Sequence, residues 1–202
     1  MNRMTREMIK SMPPPRKHRT DYEYPPSPED RSKFVEGLCE RIRAAFTGVK
    51  LGSGIGLWQA QGLDDYDQPE VCAEYRLKDE TEDWSRISDD TLHHCNSSPS
   101  FLDAEGFRFS MPAFMISEIR GTYGFNFFWS LIHFENLEYS RYELLDRTQR
   151  AVVREYLIFI ASDPYDTYSR DDIMYALDLY WTESSCMRTD EAESTEAEQA
   201  AS

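Results

Sequence analysis

Close carboxylate pairs are the first feature of this sequence that could do chemistry: Asp64 with Asp65, and Asp103 with Glu105. Two carboxyls in one site can divide the work of general acid and base or hold Mg²⁺, the toolkit of a metal-assisted hydrolase. The same Asp-x-Glu before an aromatic run also serves as a turn and helix-capping device, and Arg108 is near enough in sequence to neutralise one of its acids. With 37 acids in 202 residues, close pairs also arise by chance. His93-His94-Cys95 suggests a metal, but adjacent helical residues point about 100° apart, and zinc helices use i and i+4 spacing. A further ligand such as His133, Cys72 or Cys39 would have to arrive by folding. The expectation is a buried Cys95, surface histidines, and no metal or other cofactor. Nucleophilic catalysis needs a base set against Ser or Cys; four histidines, with His18 in the N-terminal segment and no G-x-S-x-G elbow, offer no such set. No catalytic residue is assigned.

Leu51-Gly-Ser-Gly-Ile-Gly56 resembles a phosphate loop only in part. Its glycines stand at 52, 54 and 56, the dinucleotide fingerprint would need one at 57, and the Lys-Ser/Thr end of a P-loop is missing. It follows a helical pattern rather than a strand, so it reads as a tight connection before a short helix, Leu57 to Gly62.

Charge gives the remaining candidates. The formal charge is -15, with a basic first segment (residues 1–20) and an acidic last one (183–202). The body between them is acidic and repels phosphate backbones, which argues against direct nucleic-acid binding by the domain. Residues 64–90 hold eleven acids against Arg76, Lys78 and Arg86. The candidate binding residues are Asp64, Asp65, Asp79, Glu80, Glu82, Asp83, Asp103 and Glu105. If the segment docks a basic partner, neutralising Asp79, Glu80, Glu82 and Asp83 together should abolish capture and leave the melting temperature nearly unchanged or slightly higher. Aromatics are plentiful and mostly at core spacing, while Tyr66, Tyr165 and Tyr168 sit in polar surroundings that suit an interface.

The elements that must position these groups read as a mainly α, single compact domain over 27–182, between disordered segments at 1–26 and 183–202. Pro13-Pro14-Pro15 and the surrounding charge mark the first segment. Ser27, Pro28 and Asp30 open an amphipathic helix carrying Val35, Leu38, Ile42 and Phe46, ending at Gly48. Val71, Cys72 and Tyr75 share a helical turn; Trp84 and Ile87 anchor the acidic segment; Ser88 caps a short helix. Ser110 and Pro112 open a core helix, Met111 to Arg120, that ends at Gly121. The aromatic run Phe125 to Phe134 favours a strand, which would need a short partner near 107–109; otherwise it is an irregular buried loop. Asp146 or Thr148 starts a strong helix through Ile160, and Ser169 with Asp172 forms a capping box for the last one.

Leu63-Asp-Asp-Tyr66, Trp84, Asp103-Ala-Glu-Gly-Phe-Arg-Phe109 with Met111-Pro-Ala-Phe-Met115, and Gln149-Arg-Ala-Val152 with Tyr156-Leu157 occur in an order that resembles an uncharacterised bacterial domain family, one of the domain-of-unknown-function group. The resemblance spans roughly residues 30–182, is most specific in the block at 101–115, and implies a bacterial, cytoplasmic, α-rich domain with no assigned activity. It carries no catalytic residues. The dispersed cysteines and the lack of an apolar leader in the first residues agree with a reducing compartment. The leading functional reading is a non-catalytic interaction or accessory protein of the bacterial cytoplasm, regulatory or immunity-like by analogy, that binds a basic protein partner through its acidic surface. The alternatives are a metal-assisted hydrolase using Asp64, Asp65, Asp103 and Glu105, and an acidic mimic of nucleic acid. No membrane contact is expected, and oligomeric state is not legible.

Overall fold

The computed structural model describes residues 28–133, 139–163, 169–183 and 185. The segment 1–26, nearly all of 183–202, the Ser27 cap, Tyr165 and Tyr168 lie outside the described residues. Helix α1 (Pro28–Ala45) opens on proline with Glu29 and Asp30 in its first turn and Arg43 in its last, charges that complement the helix dipole. Leu38, Ile42 and Phe46 recur every four residues along it and the turn that follows, and all are fully buried. Gly48, at φ 76°, ends that turn in the left-handed region that favours glycine. The glycine-rich connection then leads into α2 (Leu57–Asp64), which packs on α3 (Pro69–Arg76).

A 3₁₀ turn (Trp84–Arg86) sinks Trp84 into the core, where its indole Nε1–H donates to the Phe46 carbonyl at 2.9 Å. Ser88 caps α4 (Asp89–His94) by accepting from the Thr91 amide. Helix α5 (Ala104–Arg120) follows, capped by Asp103 and closed by Gly121 at φ 73°. Every residue of α5 from Phe107 to Ile119 is buried or half-buried, and most are buried on all faces. A helix apolar all round must lie inside the fold, and α5 packs against α1, α4 and α7. The single turn α6 (Trp129–Ile132) and a 3₁₀ turn (Tyr139–Tyr142) precede α7 (Arg147–Ala161), which lies between α1 and α8 (Arg170–Leu179). Asp146 and Gln149 form a full capping box on α7. Ser169 occupies the N-cap position of α8 without a side-chain cap bond, so the box expected there is not formed. Among the described residues no helix is long and apolar enough to cross a membrane.

Two expectations are corrected. The core helix begins seven residues earlier than Met111, at Ala104, and Pro112 lies inside it. Residues 107–109 are therefore helical and pair with no strand. Among the described residues there is no strand, and 125–133 is a turn followed by α6. Its aromatics serve as packing: Phe127 stacks on Phe114 (4.8 Å between centroids) and on Phe107 (5.9 Å), and Phe128 is buried. Ring-on-ring burial against α5 supplies the stabilisation that a strand ladder would otherwise have supplied.

Candidate functional site

Asp103 and Glu105 form the junction between the glycine-rich loop and α5. Asp103 Oδ1 accepts the Gly106 amide at 2.8 Å, capping its own helix, and the Ile55 amide at 3.0 Å, fastening the loop. Ser53 Oγ–H donates to Glu105 Oε2 at 2.8 Å. Gly106 allows the approach, because a Cβ there would be driven into the Ile55 carbonyl oxygen. Asp103 performs the capping role open to an Asp-x-Glu pair, while Glu105 holds the loop through the Ser53 hydroxyl. Arg108 does not neutralise either acid; its Nε–H donates to Gln149 Oε1 at 3.0 Å. Gln149 is itself buried, accepts the Asp146 amide and donates to the Ala45 carbonyl, so one amide joins the ends of α1 and α7 to α5.

Asp79 is the most enclosed acid of the segment 64–90, its side chain 2% exposed. It accepts the Trp58 amide at 2.8 Å and the Gln59 amide at 3.4 Å, capping α2 from twenty residues downstream. Arg76 Nη1 stands 3.8 Å from its Oδ2, while Arg76 Nη2 donates to the Gly52 carbonyl. Burial pushes the Asp79 carboxyl above its ordinary range, opposed by the two amides and by Arg76. A Cβ on Gly56 would collide with this carboxylate, so the last glycine of the loop makes room for the cap.

The neighbouring acids also have local work. Glu80 Oε1 accepts the amides of Thr81, Glu82 and Asp83, which with its charge-assisted bonds holds the carboxyl below the usual range. Asp83 accepts from the amide and hydroxyl of Ser85, and Glu82 pairs with Lys50 at 2.5 Å. Neutralising Asp79, Glu80, Glu82 and Asp83 together therefore removes a helix cap and a turn, so an unchanged melting temperature is not the outcome this geometry predicts.

Asp64 and Asp65 are different. They close α2 at the tip of the α2–α3 hairpin, where Asp65 is exposed and Gln61 Nε2–H donates to it at 3.3 Å. Tyr66 follows with φ 58° and a side chain 90% exposed, the one non-glycine residue in the left-handed region among those described. Asp67 and Glu70 continue the charge, and Leu63 is partly exposed beside it.

Among the described residues no group of three or more His, Cys, Asp or Glu is placed to hold a metal ion. His93 Nδ1 lies 2.8 Å from the Asp89 carbonyl, and its Nε2 accepts the Gly124 amide at 3.2 Å, so both ring nitrogens are engaged. His94 packs on Trp58 with ring centroids 4.5 Å apart. Cys95 is buried, and burial raises its thiol to about 12, which leaves it without thiolate character at neutral pH. Cys39 and Cys72 are likewise buried and free.

Sequence reasoning passed over Glu118. It is half-buried on α5 and faces a cavity of about 160 Å³ lined also by Arg31, Asn126 and Phe128. Burial pushes its carboxyl up to about 7, against hydrogen bonds from the Tyr156 hydroxyl and the Phe127 and Phe128 amides. The available signal was a lone acid in an otherwise apolar helical run. Sequence reasoning also missed the polar cleft between α2 and α5, whose lining comes from separated stretches of chain.

These features define an acidic, mainly helical domain in which carboxylates, the enclosed Asp79 and the exposed Asp103 and Glu105, tie loops to helices. The chain belongs to a family of unknown function, DUF6714, whose model matches residues 35–185. No curated protein and no solved structure is matched.

Proposed function

We propose that the protein is a non-catalytic interaction or accessory protein of the bacterial cytoplasm, binding a basic protein partner through the acidic tip of the α2–α3 hairpin. The observation that carries this reading is Tyr66, 90% exposed and held at positive φ between Asp64-Asp65 and Asp67. A bulky residue in the left-handed region costs on the order of 1 kcal/mol, and an exposed tyrosine among carboxylates combines an aromatic anchor with an anionic rim. The other acids singled out in the sequence are engaged in caps, a turn, an ion pair with Lys50 or a bond from Ser53, so among them the tip pair is the one with the most spare acceptors. The buried free thiols of Cys39, Cys72 and Cys95 support a reducing compartment.

The test is affinity capture from a native host with the wild type and with the Asp64→Asn/Asp65→Asn/Tyr66→Ala variant, at graded salt. A captured protein with a basic surface, released as salt rises and lost with the variant at unchanged melting temperature, is the expected result. Equal capture of the same protein by the variant would move the interface elsewhere.

A further inference from the structure

We propose that the cleft between α2 and α5 is a binding site for a small organic anion, a molecule with a carboxylate or phosphate head and an apolar body. The cleft encloses about 250 Å³ and is walled by Trp58, Phe109 and Ile87. That volume is below the ~300–1,000 Å³ usual for drug-sized ligands and suits a small metabolite. Its floor includes Ser110, a residue 1% exposed, whose Oγ has no hydrogen-bond partner among the described residues. A buried hydroxyl is ordinarily satisfied, and an orphan at the base of a polar cleft marks a place where a ligand atom would complete it.

The charged groups around the cleft set the sign of the ligand. Its carboxylates are already supplied with donors: Asp79 takes two backbone amides and the approach of Arg76, and Glu80 Oε1 takes three amides. Its cations are not comparably matched. Lys78 Nζ rests over the Tyr75 and Trp58 rings at 4.3 and 5.3 Å and forms no ion pair among the described residues. Arg86 has the exposed Asp83 at 3.8 Å and also acts on the Glu80 carboxylate of the cleft. The Thr91 hydroxyl also lines the cleft but is already hydrogen-bonded to Ser88 Oγ at 3.0 Å. Spare hydrogen-bond capacity in the cleft is therefore mostly donor capacity, in a protein whose net charge is -15. An acceptor-rich anion fits: its head reaches Lys78 and Arg86, its body lies against Trp58 and Phe109, and one oxygen accepts from Ser110.

Isothermal titration calorimetry of the full chain with inorganic phosphate and, separately, benzoate tests this, with NaCl at matched ionic strength as the blank. The expected result is saturable one-site binding of at least one probe. Lys78→Gln, at an exposed position, should weaken it about tenfold or more, as loss of a charge-assisted bond does. Ser110→Ala should weaken it about threefold or more, while melting at or above the wild-type temperature because it removes an unsatisfied group. Binding of phosphate alone assigns a phosphate head, and of benzoate alone a carboxylate on an apolar body. Absence of saturable heat with both probes, or binding unchanged in both variants, would overturn the proposal.

Discussion

The loop–α5 junction and the tip of the α2–α3 hairpin are both acidic, and they use their carboxylates in opposite ways. At the junction, Asp103 accepts the amide of Gly106 in its own helix and that of Ile55, 48 residues upstream of it, and Glu105 takes the Ser53 hydroxyl. At the tip, Asp65 holds one long side-chain bond and Tyr66 stands in solvent. The same residue type is a fastener where backbone N–H groups converge on it and a free surface charge where they do not. Composition alone cannot separate the two cases; only the donors can.

The largest effect should come from Gly106→Ala. The added methyl meets the Ile55 carbonyl, which is backbone and cannot swing away, so a loss of roughly 3 kcal/mol or more in urea unfolding is expected. A loss below about 1 kcal/mol would mean that loop and helix are not in contact.

Glu118 sharpens the contrast from α5, since it is half-buried and its carboxyl is held by the Tyr156 hydroxyl and the Phe127 and Phe128 amides, where Asp79 has Arg76 beside it. Unfolded, it titrates near 4.5; folded, near 7. Between those values the folded chain holds a proton that the unfolded chain has lost. Its contribution is thus fully present below about pH 4.5 and declines as pH rises through 7, by at most roughly 3–4 kcal/mol at ~1.4 kcal/mol per pH unit. Glu118→Gln should flatten this part of the stability–pH curve; an identical slope in wild type and variant would place the carboxyl in solvent.

Asp79→Ala removes the cap of α2 and the anion beside Arg76, a loss of about 2 kcal/mol by thermal or urea unfolding. Asp64→Asn/Asp65→Asn should change stability by less than about 0.5 kcal/mol, as surface positions do. If these two variants cost the same, the distinction between fastening and open carboxylates is wrong.

Much of this was legible in the sequence, for reasons particular to each element. Helices α1 and α7 bury one stripe, and α2, α4 and α7 carry local signals, a glycine turn, Ser88 and Asp146, so period and cap agree. Helix α5 escaped in its first half because an all-round apolar helix has no stripe, and Pro112 imitates a helix start in mid-helix. The aromatic run from Phe125 looked like a strand because its rings are selected for stacking on α5, which strand propensity also rewards. Asp103 was recognisable as a cap because its partner is three residues away. Asp79 was not, because the amides that it accepts lie about twenty residues upstream. The cleft around Ser110 depends on the same long-range contacts and leaves no local spacing to read.

Amide hydrogen exchange in wild type and Asp103→Ala tests the fastening role most directly. Ile55 and Gly106 donate to the same Asp103 oxygen, so their protection should fall together in the variant, by about tenfold for a bond worth ~1.4 kcal/mol, while the amides of α8 keep theirs. If Gly106 loses protection and Ile55 does not, Asp103 is an ordinary helix cap and the glycine-rich loop is held by something else.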